Sequence, residues 1–200
     1  MTAIAVSVSF AIRATLGAAA GDAARPGPDR RERALVRDAQ NGSSEALELL
    51  FRRHWRTTHR AAYLVVHDSA AAEDIAQEAF LAAIRALDRF DRRRPFGPWL
   101  NRIAVNRAID WSRARALRGE VAADAAPEPA GPPPAERSEE LVAALAALSP
   151  EHRAVVVLRY LLEYTPGEIA QLLDLPRGTV NSRLRRALDG LGSGLSEDPR

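Results

Sequence analysis

The 200-residue chain reads as all-α: two small helical domains joined by a Pro-rich linker, the C-terminal one a helix-turn-helix. Three observations predict this. Apolar residues recur at spacings of three and four from about Arg30 to Gly119, and no stretch alternates with period two. The run Gly131-Pro132-Pro133-Pro134, with Pro127 and Pro129 before it, cannot continue a helix. Beyond it, Thr165-Pro166-Gly167-Glu168 has the form of a helix start, and a second short helical pattern follows closely.

Composition narrows the function classes. With no cysteine among the residues, a disulfide scaffold, a thiolate zinc finger, an iron–sulfur cluster and a cysteine nucleophile are excluded. The early apolar stretch Ala3 to Ile12 is interrupted by serines and is well short of the roughly 20 residues of a membrane span. Its first arginine, Arg13, follows rather than precedes it, which is the wrong order for a secretory signal. The expectation is a cytoplasmic chain with no membrane span. All 28 basic residues are arginine, planar forks suited to phosphates and guanine edges. The net charge is only +2, but it is unevenly spread. From Arg85 to Arg118 ten arginines face three aspartates, from Glu120 to Glu140 six acids face Arg137, and Arg177 to Arg186 holds four arginines and no acid.

Residues 1–29 are rich in Ala, Gly and small polar residues and are expected to be a disordered extension. Met1 is the only methionine, so a start nearer Arg30 is the alternative. The first domain, 30–118, opens with a helical pattern through Leu47, Leu50, Phe51, His54 and Trp55, continuing through Ala61, Ala62, Leu64 and Val65. Ser69 is the expected N-cap of a helix to about Leu87. On that helix Ile75, Ala79, Phe80, Ala83, Ala86 and Leu87 share one side, with Asp74, Gln77, Glu78, Leu81 and Arg85 on the other. Phe90 to Pro98, with three breakers, is expected to be a loop, and a helix runs from Trp99 to about Arg118 on a stripe of Leu100, Ile103, Ala104, Trp111 and Ala114. The linker is 119–137, reaching about 55 Å if polyproline-like or about 23 Å root-mean-square if flexible. The second domain, 138–192, has helices near 138–147 and 150–163 and then two short ones, before a tail at 193–200.

Thr165 as N-cap, Pro166 first and Glu168 third make a capping box, and the turn Asp174 to Pro176 ends that helix after about two turns. In the next helix Val180, Leu184, Ala187 and Leu191 share a face. Ser182, Arg185 and Arg186 lie opposite, with Thr179 and Asn181 at its flanks. This is a DNA-reading arrangement; the alternative is a helical hairpin with solvated arginines. The loop Phe90-Asp91-Arg92-Arg93-Arg94-Pro95-Phe96-Gly97-Pro98-Trp99 interleaves rings and guanidinium groups, the combination that stacks unpaired bases while neutralising phosphates. Phe96, between two prolines, is expected to be the ring least committed to the core; Phe90 and Trp99 fit either role. His54 and His59 are five apart with no carboxylate between them, so they do not form a His-Glu-x-x-His pair and are expected to be structural or on the surface. No catalytic residue, metal site or cofactor is expected, and the chain is not expected to be an enzyme.

Three stretches together resemble the bacterial sigma factors, in particular the extracytoplasmic-function subfamily. They are Ala72-Glu73-Asp74-Ile75-Ala76-Gln77-Glu78-Ala79-Phe80, then Trp99-Leu100-Asn101-Arg102-Ile103-Ala104-Val105-Asn106 with Asp110, and Glu168-Ile169-Ala170 with Gly178-Thr179-Val180-Asn181-Ser182-Arg183-Leu184. The resemblance implies a factor that carries core RNA polymerase to promoters and promotes melting. Its partners would be the beta-prime clamp helices and beta flap of the polymerase, promoter DNA and often an anti-sigma protein. Asp74, Gln77, Glu78 and Leu81 would dock on polymerase. Arg92, Arg93, Arg94, Phe96, Trp99, Arg102, Asn106 and Arg113 would read and melt the −10 element, and Arg177, Thr179, Asn181, Ser182, Arg183, Arg185 and Arg186 would read the −35 element. Asp174 stands where the family commonly has glycine, which an aspartate tolerates in a left-handed conformation. The rival readings are a regulator that binds DNA through its helix-turn-helix alone and a nucleic-acid enzyme.

Overall fold

A computed structural model describes residues 30–118 and 136–194. The expectations for residues 1–29, for 119–135 of the linker and for 195–200 lie outside the described residues. Among the described residues there are eight α-helices and no strand. Helix α1, Arg30–Gln40, buries Glu32, Val36 and Ala39 at spacings of four and three. Gly42, at φ 91, turns the chain as a non-glycine residue would resist doing. Ser43 then caps α2, Ser44–Val66, its hydroxyl accepting from the Ala46 N–H at 3.2 Å.

Helix α2 ends at His67, in the left-handed region with its N–H donating to the Tyr63 carbonyl at 2.7 Å. The cap of α3, Ser69–Ala86, is Asp68 rather than Ser69. Its carboxylate accepts from the Ala71 N–H at 3.0 Å, and its second oxygen holds Arg115 at 3.1 Å, a long-range partner that favours the aspartate. Inward on α3 lie Ala72, Ile75, Ala76, Ala79, Phe80 and Ala83, mostly small enough for close helix approach. A 3₁₀ turn, Leu87–Arg89, leads to the loop.

Helix α4, Phe96–Leu117, starts three residues before the expected Trp99. Pro95 occupies the N-cap position at φ −67, and Pro98 falls in the first turn, where its missing N–H has no intrahelical partner to lose. These prolines open the helix instead of delaying it. Helices α2, α3 and α4 pack on one another, with α1 against α2. Inside, the Thr58 hydroxyl donates to the Asn101 side-chain oxygen at 2.8 Å, which satisfies two buried polar groups across the α2/α4 contact.

In the second half α5 is Glu136–Ala146, two residues earlier than expected. Helix α6, Pro150–Val156, is capped by Ser149 and runs into a π-helical turn, Val157–Leu161, where a single helix was expected. Helix α7, Pro166–Leu173, has the full capping box, with the Glu168 carboxylate 2.7 Å from the Thr165 N–H and the Thr165 hydroxyl 3.3 Å from the Glu168 N–H. Asp174 closes it at φ 53, the left-handed conformation its side chain tolerates. Helix α8, Arg177–Gly194, buries Val180, Leu184, Ala187 and Leu191, the face expected of it.

The two halves share a core. Val65, Val105 and Ile109 belong to the same apolar cluster as Val155, Leu158, Ile169 and Leu184, and α6 lies on α2 and α4. The Tyr164 hydroxyl donates to the Pro98 carbonyl at 2.6 Å, and Arg113 pairs with Glu151 at 3.4 Å. At this seam His67 has its pKa pushed down to about 4 by burial, and further by Arg153, against the raising effect of the hydrogen bond its ring donates to the Leu64 carbonyl. Because the folded pKa lies below the unfolded one of about 6.5, the imidazole costs the fold nothing above pH 6.5. As pH falls below that value the unfolded chain binds the proton first, and stability is lost until about pH 4. We expect His67 to account for a loss of about 2 kcal/mol by pH 5. The His67→Asn variant, which keeps a residue suited to the left-handed region, should be less sensitive to acid in thermal unfolding at pH 7.5 and 5. Equal sensitivity would exclude His67 as the source.

Candidate polymerase and nucleic-acid interfaces

Three surfaces carry the residues singled out in the sequence. The first is the outer face of α3, where Asp74, Gln77 and Glu78 are exposed together with Leu81, 52% exposed, and Ile84, 45% exposed. Gln77 donates to Glu73 at 3.3 Å, and Glu78 meets Arg107 of α4 at 3.6 Å. Beside this face a cleft of about 430 Å³ is lined by Asp74, Glu78, Arg107, Asp110 and Trp111. The sequence reading named neither Ile84 nor Arg107 for this surface. Ile84 was visible as the residue three beyond Leu81, but Arg107 comes from another helix.

The second surface is the 90–96 loop and the start of α4. Arg92, Arg93 and Arg94 are exposed, and Asp91 shapes the turn, its carboxylate accepting from the Arg93 N–H at 2.9 Å and its carbonyl from the Arg94 N–H at 2.9 Å. Phe96 is the correction. It is 4% exposed and packed against Phe90 at 5.8 Å, Trp99 at 5.6 Å and His54 at 5.4 Å between ring centroids. Phe96 begins the helix stripe that continues inward through Gly97, Leu100, Asn101 and Ala104, so the helix carries its ring into the core. Phe90 is also buried and Trp99 half-buried, their rings 4.5 Å apart. A cleft of about 470 Å³ lies alongside, lined by Arg33, Gln40, Asp88, Phe90, Arg92 and Arg93. Further along α4, Arg102 is exposed and Asn106 half-buried, while Arg113 reaches Asp110 at 3.8 Å as well as Glu151. Burial alone would raise the pKa of Glu151, but its own backbone N–H, Arg113 and Arg183 hold it below the usual carboxylate value.

The third surface is α8. Arg177, Asn181, Arg185 and Arg186 are exposed, and Thr179, Ser182 and Arg183 are half-buried. The Ser182 hydroxyl donates to the Thr179 carbonyl at 2.9 Å, so its proton is already engaged within the helix. Among the described residues no three His, Cys, Asp or Glu side chains are placed to hold a metal, and no helix is long and apolar enough to cross a membrane. His54 contacts Glu32, and His59 stacks on Trp55 at 5.8 Å, both structural placements.

Residues 50–118 match the family model for sigma-70 region 2, and residues 138–189 match that for sigma-70 region 4. The chain belongs to the bacterial RNA polymerase sigma factors of the extracytoplasmic-function group. It is 34% identical over 165 residues to the sigma factor SigM of Mycobacterium tuberculosis, covering 80% of this chain and 82% of that one. To SigW of Bacillus subtilis it is 28% identical over 178 residues, covering 81% of this chain and 95% of that one. The solved complex of CnrH with the cytosolic domain of CnrY is similar with a TM-score of 0.60 at 30% identity, covering 84% of this chain and 99% of CnrH. This sigma factor therefore directs RNA polymerase to promoters, and polymerase binding and promoter melting are general properties of its family.

Proposed function

We propose that the three surfaces divide the work of initiation among themselves. Residues 30–118 form the region 2 unit and 138–192 the region 4 unit. The α3 face of Asp74, Gln77, Glu78 and Leu81 docks on core polymerase, at the beta-prime clamp helices. The −10 surface melts and reads DNA through Arg92, Arg93, Arg94, Trp99, Arg102, Asn106 and Arg113, with Phe96 acting as packing beneath them. Helix α8 reads the −35 element through Arg177, Thr179, Asn181, Ser182, Arg183, Arg185 and Arg186, and the beta flap is the polymerase partner of this unit. The protein performs no covalent chemistry, works in the cytoplasm and is held by an anti-sigma protein. CnrH, solved with CnrY, supports that last partner, and copurification from the native host would test it.

The observation that carries this reading is the segregation of charge: an exposed acidic and apolar face on α3, and arginine-rich faces on the 90–96 loop and α8. Acids repel phosphates, so the first face suits a basic protein, while exposed arginines neutralise phosphates and fork onto base edges. In-vitro transcription with core polymerase on genomic fragments tests it. Core-dependent, start-site-specific transcripts are expected; an operator bound equally well without polymerase would instead indicate a regulator. With Phe96 buried, Arg93→Ala is the variant that probes melting. It should slow duplex opening, read by permanganate reactivity of unpaired thymines, and a pre-melted −10 bubble should restore transcription. Normal opening by Arg93→Ala would remove that arginine from the step.

A further inference from the structure

We infer that α1 is a brace that presets the melting loop, with Gln40 and the Glu32–His54 pair as positioning residues at the loop's two ends. The inference rests on the proposed reading of that loop. Between Phe90 and Phe96, whose buried rings pack on each other and on Trp99, the exposed arginine stretch is held only by the local turn at Asp91. At its entry the Gln40 side-chain amide donates twice, to the Leu87 carbonyl at 2.9 Å and to the Phe90 carbonyl at 3.0 Å, so both amide hydrogens are used on backbone 47 and 50 residues away. At its exit the His54 ring lies against Phe96 and Gly97. A side chain at position 97 would begin 2.9 Å from His54 Cε1 and Nδ1, so only glycine permits this approach.

His54 is fixed from behind. Its Nε2 lies 2.9 Å from Glu32 Oε1. Glu32 is only 6% exposed. A carboxylate placed there costs desolvation that an apolar side chain would avoid. Glu32 and Gln40 are eight residues apart on one helix, roughly 12 Å along its axis. One rigid element thereby grips both ends of the loop that presents Arg92, Arg93 and Arg94. Loop ordering completed before DNA arrives leaves less ordering to be done during opening. The bracing residues Glu32 and Gln40 precede the matched region 2 span, which begins at residue 50, while the groups they hold lie within it.

The test uses the full chain with core polymerase and two templates, an intact duplex and the same promoter pre-melted at −10. Gln40→Glu keeps the size of the side chain and removes both donors. It should slow opening of the duplex roughly tenfold, as expected for two hydrogen bonds lost from a step they prepare. Transcription from the bubble and affinity for core should stay at the wild-type level. Hydrogen exchange of the free chain should quicken at residues 88–96 and not along α3. Loss shared equally by both templates, or unchanged exchange in the loop, would overturn the brace. Should Gln40→Glu lose its helical circular dichroism, Glu32→Gln on the same templates and in the same exchange experiment decides the matter. If wild type itself gives no core-dependent transcript, it is the sigma reading of the loop that fails, and loop exchange in the variants still tests the brace.

Discussion

Replacing Asp74 and Glu78 with arginine will abolish association of this sigma factor with core RNA polymerase. Both side chains are exposed on α3 and point away from the buried stripe of Ile75, Ala76, Ala79 and Phe80, so the fold has little reason to change. Like charges set opposite each other across an interface cost several kcal/mol, which is roughly a hundredfold or more in affinity. Reversal at 78 also sets an arginine beside Arg107, its present partner at 3.6 Å. The exposed ion pair itself contributes little, and Glu78→Gln alone separates its loss from the charge clash with polymerase. The measurement is pull-down of core with purified variants whose circular dichroism matches wild type. Undiminished capture by the double reversal would show that polymerase binds elsewhere.

The second large effect is expected on α8. Arg185 and Arg186 are exposed, whereas the helix is anchored by Val180, Leu184, Ala187 and Leu191 on its opposite side. Truncation of either arginine should leave the core untouched. A bidentate contact to a base edge is worth about 1–3 kcal/mol, so each alanine variant should weaken promoters that depend on the −35 element by that amount. An arginine on phosphate would instead weaken all sequences alike and lower the salt slope by about one. Promoter binding by polymerase carrying each variant, at several salt concentrations and with the −35 element present or scrambled, distinguishes the two. Equal loss on the scrambled template at an unchanged salt slope would remove both arginines from DNA recognition.

Much of the fold was legible because its signals are local. The Thr165 to Glu168 box joins groups three residues apart, and it appears in the structure as the sequence implied. The outward set Asp74, Gln77, Glu78 and Leu81 follows from helical period alone, as does the buried stripe of α8. Phe96 was misjudged for a physical reason: prolines terminate helices in the interior but are accommodated in a first turn, and composition does not say on which side of a boundary they fall. Asp68 replaced Ser69 as cap for a similar reason, since either side chain can accept the orphan N–H and the choice falls to the residue that also meets Arg115.

What this chain's sequence determined by itself is therefore the helical class, the Thr165 cap, the outer face of α3, the buried face of α8 and the motifs that place it among sigma factors. It did not determine the cap of α3, nor the start and buried stripe of α4, which takes in Val105, Ala108 and Ile109 instead of Ile103, Trp111 and Ala114. Tertiary structure alone decided three other things. It set Gln40 on the Phe90 carbonyl 50 residues away and the Tyr164 hydroxyl on the Pro98 carbonyl 66 residues away. It merged the cores of the two halves, and it buried Phe96. Periodicity and capping act over three or four residues and leave a mark in the order of side chains. Contacts between distant segments depend on how whole faces fit, and apolar burial has no direction of its own to announce the partner.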